Sequence, residues 1–520
     1  MSGQLEAGTT FRERVVRAAL VGLCGWHCLA LAFVFLRAAP FPYELEWMEG
    51  ASLGMAHRAS SGLPMYTPPS IEHTPVAYPP LYFLLGSVLV RWLGAALPAL
   101  RALSLVAFGT TAAGMAWLVR RETTSWTAAL AAVGCYAACF EASGAWYHLA
   151  RVDSLFVCLV WWGLVALSRA RSHRGMLAAA LLFFAAFLTK QTLLLLLPFL
   201  LGLAIVGKRR WVATFAGSLG AGVGLAIFVG NRSTGGWFRY YILDMHAQRG
   251  FDLGLLAAYG RQFWLPLALL AGAVALAWAR GGRGEGVVRR QVWPWLVATA
   301  GCLAVSGAAI AQPGGAANNA MPLYVCLATL AGLGFASFRR EAGHDAFRTG
   351  YCLLLAGALA ALWYDPGRYT PRAADYAAGR RVVEALAALP DPVWIPHTPS
   401  YYFLTGHRPF AHQVALWDVG KSDAVGAKRE LVDQILAAIG RRAFSGVVLG
   451  RDEGLVHAAL RQYGYRPVDL HPDPAGLWTR TGFRWRPEVL FLRDPAAGSG
   501  GGAVRGEPSR AVPRRATAGG

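Results

Sequence analysis

Residues 15–36, VVRAALVGLCGWHCLALAFVFL, and residues 43–50, YELEWMEG, decide how this chain is to be read. The first stretch is apolar over the length that a bilayer crossing requires, about 20 residues. The second sets Glu44, Glu46 and Glu49 side by side just after that stretch leaves the lipid. Carboxylates this close to hydrocarbon are costly unless they face water or do chemistry. Trp47, among them, suits the interface. A base at that depth fits chemistry between a lipid-anchored group and one arriving from water.

Outward from this stretch, apolar runs of spanning length recur at 102–119, 126–146, 153–168, 176–190, 191–207, 211–230, 263–279, 291–311, 320–338 and 349–363. With 15–36 they give eleven expected spans and an all-α polytopic membrane protein. The composition agrees, with 55% hydrophobic and 15% charged residues, less charge than soluble chains carry. The net charge of +20 does not point to nucleic acid. The basic residues fall in short knots between spans, such as Arg120-Arg121, Lys208-Arg209-Arg210 and Arg339-Arg340, and no DNA-reading motif accompanies them. If the segment 81–97 lies along the outer interface and does not cross, every knot falls on the side of the N-terminus. That places the N-terminus in the cytoplasm and the C-terminal region outside, with 37–101 as a large first outer loop. Arg12, Arg14 and Arg17 precede a run too long for a signal peptide, so 15–36 reads as an uncleaved span.

Residues 364–495 change character. They read as helix 373–389, strand 393–395, helix 426–440, strand 447–449, helix 453–463 and short strands near 464–469 and 488–492, a small extracytoplasmic α/β domain. Residues 496–520, rich in Gly, Ala, Arg and Pro, read as a disordered tail. The domains are therefore 1–363, 364–495 and 496–520. All eight cysteines lie in apolar runs and read as packing residues rather than disulfides or metal ligands.

Several constellations fall on the outer side. Like charges as close as Glu44, Glu46 and Glu49 raise at least one pKa, which suits a general base. In residues 72–82, EHTPVAYPPLY, the prolines fix an extended entry into the next run, Tyr78 and Tyr82 suit an interface, and Glu72-His73 has no spaced partner for a metal. In Tyr147-His148-Leu149-Ala150-Arg151-Val152-Asp153, Arg151 and Asp153 form either a local ion pair or a phosphate contact with a supporting acid. Lys190, with no basic cluster around it, suits a phosphate. His246 and Arg249 are three apart, and Gln312, Asn318 and Asn319 precede a helix start that offers free N–H groups. No Walker loop, dinucleotide fingerprint or Gly-x-Ser-x-Gly elbow is present, which disfavours a nucleotide-driven pump. His397, His407 and His412 show no catalytic layout and read as surface or core histidines.

The order of these motifs resembles the polytopic GT-C glycosyltransferases that use polyprenyl-phosphate sugars, among them protein O-mannosyltransferases and lipid A aminoarabinose transferases. Glu46-Trp47-Met48-Glu49 stands where that family has an acidic, often Asp-Glu, motif. Tyr78-Pro79-Pro80-Leu81-Tyr82, Ala150-Arg151-Val152-Asp153, Thr189-Lys190, His246-Ala247-Gln248-Arg249-Gly250-Phe251 and Pro322-Leu323-Tyr324 follow in family order. The resemblance covers roughly residues 12–340. It implies a GT-C fold in a bacterial inner membrane and a sugar carried on a polyprenyl phosphate. Glu46, by preference, would act as base in an inverting displacement. Glu49 or Asp153 would orient the acceptor or bind a cation, with Glu44 a further catalytic candidate, and Lys190, Arg151 and Arg249 would hold the lipid phosphate. Tyr78, Tyr82, His246, Gln312, Asn318 and Asn319 would line the substrate. The acceptor would be a glycan, lipid or protein. No cofactor is required and no metal ligands are named, though relatives differ on a divalent cation. The alternative from the residues is a transporter or flippase of lipid-linked sugars, which would bury its polar groups at mid-membrane rather than at span ends on one side. An O-antigen ligase or polymerase is a further rival, with a different layout of acid and arginine.

Overall fold

A computed structural model describes residues 11–281, 286–337, 345–421, 426–451, 454–471 and 476–495. The expected tail, 496–520, lies outside the described residues, as does the Arg339-Arg340 knot. The first nine long helices are α1 (Phe11–Ala38), α2 (Glu49–Ser60), α3 (Leu81–Leu93), α4 (Leu97–Thr123), α5 (Trp126–Ala138), α6 (Asp153–Arg169), α7 (His173–Thr189), α8 (Leu193–Lys208) and α9 (Val212–Ser233). Helices at Gly260–Gly281, Gly286–Ile310, Met321–Leu333 and Asp345–Ala361 complete the membrane part. A helix thus stands at each apolar run. Among the described residues, five helices are long and apolar enough to cross a membrane by themselves, and a sixth span is possible if one bent pair is counted together. Shorter apolar helices occupy Trp126–Ala138, His173–Thr189 and Leu193–Gly207. The protein is multi-pass, but helix length alone does not yield eleven crossings.

Local chemistry sets the boundaries. Ser125 and Ser172 cap α5 and α7 by accepting from the N–H groups of Ala128 and Gly175. Thr124, in the left-handed region, closes α4. The apolar run that begins at 126 continues to residue 146, but α5 ends at Ala138. The chain then turns back through Gly144 (φ 75°) and Ala145 (φ 61°), and this turn brings Trp146 and Arg151 to the site. The first outer segment is not loop throughout, because α2 and α3 fold within it and pack together. Met321–Leu333 is buried on every side, as expected of a helix apolar all round. A Cβ at Gly332 would meet the Ala132 methyl at 2.7 Å, so glycine lets this helix close on α5.

Beyond Ala361 lie four strands: β1 (Val393–Trp394), β2 (Gly446–Leu449), β3 (Tyr465–Asp469) and β4 (Val489–Arg493). They form one sheet in the order β1-β2-β4-β3, with β1 and β2 parallel and the other pairs antiparallel. Every residue of β2 is buried. The strand readings near 393, 447, 464 and 488 fall on these elements. Helices Ser400–Thr405 and Gln413–Lys421, which the sequence reading did not separate, fold between β1 and β2. The long connection from β3 to β4 leaves the sheet, and residues 476–484 reach the site.

Candidate functional site

The segments 46–48, 77–78, 141–151, 246–259, 314–319, 368–375, 414–421 and 476–484 each contribute some residues to the wall of one cavity of about 1100 Å³. Glu46 lies on that wall and is buried. Its Oε2 accepts from Arg151 Nη1 at 2.8 Å and from the Met48 N–H at 3.1 Å, while Oε1 has no protein partner. Burial pushes this carboxyl up to about 7 against the pull of Arg151, and the Glu49 charge adds to the push. Arg151 also reaches the Tyr78 hydroxyl at 3.3 Å. The two readings of Arg151 and Asp153 therefore resolve into two separate pairs, since Asp153 turns to Lys190.

The second cluster stands behind the cavity wall. Lys190 breaks the chain between α7 and α8 in an extended conformation (φ −151°, ψ 121°). Its Nζ donates to Asp153 Oδ1 at 2.7 Å and to Asn319 Oδ1 at 2.9 Å, and Asn318 Nδ2 donates to the same Asp153 oxygen at 2.9 Å. Asn318 and Asn319 line the cavity, whereas Lys190 and Asp153 do not. An isolated phosphate clamp was expected at Lys190. The structure instead places this cation in a buried pair, because a lone ammonium at that depth needs a counter-charge.

The other glutamates part company with Glu46. Glu49 lies off the cavity and is taken up by the fold: Arg101 Nε and Nη2 reach its two oxygens at 2.8 and 2.6 Å, and the Leu45 and Ala150 N–H groups add bonds at 2.7 and 2.8 Å. Burial pushes its carboxyl up, but Arg101 and these bonds outweigh that and hold it below the ordinary glutamate value. Glu44 accepts from the Ser400 N–H at 3.1 Å, away from the cavity, and burial holds its carboxyl well above the usual range. Neither residue offers a base to a ligand in this arrangement. Tyr82 gives its hydroxyl to the Leu100 carbonyl and Ser104, joining α3 to α4, and Gln312 is off the wall. The expected substrate roles of Tyr82 and Gln312 thus give way to packing and loop positions.

His246 and Arg249 do line the cavity, brought there by a π-helical turn at Tyr240–Asp244. His246 Nε2 sits 2.6 Å from Gln191 Nε2 and 3.2 Å from the Ala77 carbonyl. Burial, with Arg249 nearby, lowers its pKa to about 4, so the ring is neutral. Arg249 pairs with Asp418 at 2.8 Å. Lys421, Trp417, Asp418 and Phe483 also line the site. They come from the C-terminal region; a local crowding of Trp and Arg at 476–486 marks the neighbourhood of Phe483 in the sequence, and no motif marks Trp417, Asp418 or Lys421. His412 is structural, as its lack of a motif suggested. Its Nδ1 accepts from the Val414 N–H, so Nε2 carries the proton and donates to the Trp47 carbonyl at 2.8 Å. Among the described residues, no group of three or more His, Cys, Asp or Glu side chains is placed to hold a metal ion.

Against known proteins, a family model described as dolichyl-phosphate-mannose-protein mannosyltransferase matches residues 77–232. The crystal structure of ArnT from Cupriavidus metallidurans in the apo state superposes with a TM-score of 0.58 at 13% identity, covering 90% of this chain and 97% of that one. The same protein bound to undecaprenyl phosphate gives 0.56 at 12% identity, over 91% and 99%. The chain has the GT-C fold. No curated protein matches it by sequence. The GT-C likeness extends past the membrane helices, since the superposition covers nine-tenths of the chain and so includes much of the β-sheet region.

Proposed function

We propose that this protein is a membrane glycosyltransferase that moves a sugar from a polyprenyl phosphate to an acceptor hydroxyl, with inversion, and that Glu46 is the base. The observation that carries the reading is Glu46 itself, with one oxygen on Arg151 and the other bare at the cavity wall. The acceptor hydroxyl would donate to Oε1. As its oxygen attacks the anomeric carbon, the proton passes to Glu46, the bond from that carbon to the phosphate oxygen breaks, and the electron pair leaves with the lipid phosphate. Arg151, Arg249 and Lys421, which line the cavity, would stabilise the negative charge on that phosphate. Lys190 and Asp153 would act from behind by fixing Asn318 and Asn319. No step in this account calls for a divalent cation.

The segments that meet in the cavity are those that the basic knots assign to one face. This favours a bacterial inner-membrane protein with a cytoplasmic N-terminus and with the cavity and the sheet region outside. A polar cavity at span ends also argues against a transporter, whose site belongs at mid-membrane. The test is transfer from a radiolabelled polyprenyl-phosphate sugar pool in membranes that carry the wild type or Glu46→Gln. Loss of a positioned base costs about 10²- to 10⁴-fold. A loss of that size at normal protein level supports the reading, and unchanged transfer removes Glu46 as the base; unchanged transfer in Glu49→Gln and Lys190→Ala as well moves the weight to a transport role.

A further inference from the structure

The connection between β3 and β4 is fixed onto the base loop. The Arg480 and Thr481 N–H groups donate to the Leu45 carbonyl at 2.7 and 3.3 Å, and the Thr481 hydroxyl donates to the Gly144 carbonyl. Arg480 is anchored in turn by Asp375. Between these anchors and the cavity mouth stands Gly482, with φ 69°. A Cβ there would come within 3.1 Å of Glu46 Cγ, 3.2 Å of the Trp146 ring and 3.3 Å of Glu46 Oε1. Both the backbone angle and the space therefore ask for glycine. The absent side chain lets this segment close over Glu46 without displacing its carboxyl.

The next residue, Phe483, puts its ring 5.3 Å from Trp47, which lies 5.8 Å from Trp417. Phe483 is 52% exposed and Trp417 is 40% exposed. Large rings left in water beside a polar cavity cost free energy unless something covers them. Asp418 and Arg484 adjoin them and line the same cavity. Flat apolar faces edged by charged donors and acceptors match a sugar ring, which has a C–H face and a rim of hydroxyls. A lipid chain would use the apolar faces but not the charged rim.

We infer that residues 480–484 form the acceptor wall, and that the acceptor is a glycan whose pyranose ring packs on the aromatic surface of Trp47, Trp417 and Phe483 with its reacting hydroxyl directed to Glu46. This rests on the reading of Glu46 as base. Phe483 is a specificity-determining residue, and Gly482 is a positioning residue that lets the segment seat against Glu46 without displacing its carboxyl.

The experiment uses full-length protein in native membranes, a mixed pool of radiolabelled polyprenyl-phosphate hexoses, and isolated cell-envelope polysaccharide titrated as acceptor. The label is expected in the polysaccharide. In Phe483→Ala the polysaccharide concentration for half-maximal transfer rises about tenfold, the scale of one lost aromatic contact, with little change in maximal rate. Phe483→Trp, which keeps a ring, recovers most of that loss. Gly482→Ala lowers the maximal rate tenfold or more, while undecaprenyl phosphate binding to the purified protein stays as in the wild type. Label entering protein or the organic-solvent extract, or Phe483→Ala transferring like the wild type, overturns the inference. If Glu46→Gln still abolishes transfer in those cases, only the acceptor wall falls. If Glu46→Gln transfers normally, the base reading falls as well.

Discussion

Glu46 illustrates how two opposing forces set one carboxyl. Removal from water favours its neutral form, and the Arg151 guanidinium favours its charged form, with burial ahead and the value near 7. A base works only when deprotonated, so transfer should follow an acid limb near pH 7, with kcat/KM falling about tenfold per unit below it. Arg151→Met removes the downward pull, and the limb should move to higher pH, read from a pH-rate profile of the membrane assay. A limb that stays in place in Arg151→Met would assign it to another group. The sequence marked the acid cluster but did not rank its members. Glu44, Glu46 and Glu49 are equivalent as text. Only their partners, Ser400, Arg151 and Arg101, separate them.

At the scale of elements, the Glu49–Arg101 pair joins the start of α2 to α4. Arg101 also holds the carbonyls of Ala38 and Tyr43 at 3.1 and 2.8 Å, so one guanidinium gathers the end of α1, the acidic loop and α4. Removing one member of a buried, hydrogen-bonded pair costs about 3–5 kcal/mol, because the other is left charged in the interior. Arg101→Met should therefore lower the thermal midpoint in detergent well below that of Glu46→Gln, whose wild-type carboxyl has a bare oxygen. Equal midpoints would remove this clamp from the account. The caps on α5 and α7 have a local cause, a serine accepting from an N–H three residues on, although the sequence reading names neither Ser125 nor Ser172. Arg101 was not singled out, because a lone arginine at the start of an apolar run looks like any boundary residue until its partner, 52 positions away, is in place.

For the whole molecule, the basic knots assign the cavity to the outer face. A cysteine introduced at Phe483 in a cysteine-free background should react with a membrane-impermeant maleimide in intact spheroplasts, and one at Arg171 only after the membrane is opened. The reverse pattern would invert the topology. The sequence by itself determined the membrane class, the helix at each apolar run, the alternation of strands and helices after residue 364 and the order of motifs that resembles the GT-C enzymes. These depend on hydropathy, caps and short spacing, all written within a few residues. Only the tertiary structure decided that Glu46 faces the cavity and Glu49 the fold, that Lys190 is paired with Asp153, and that residues 476–484 come back to the first loop. Those outcomes arise from contacts between segments far apart in the chain, where burial of each charge selects its partner and no local pattern records the choice.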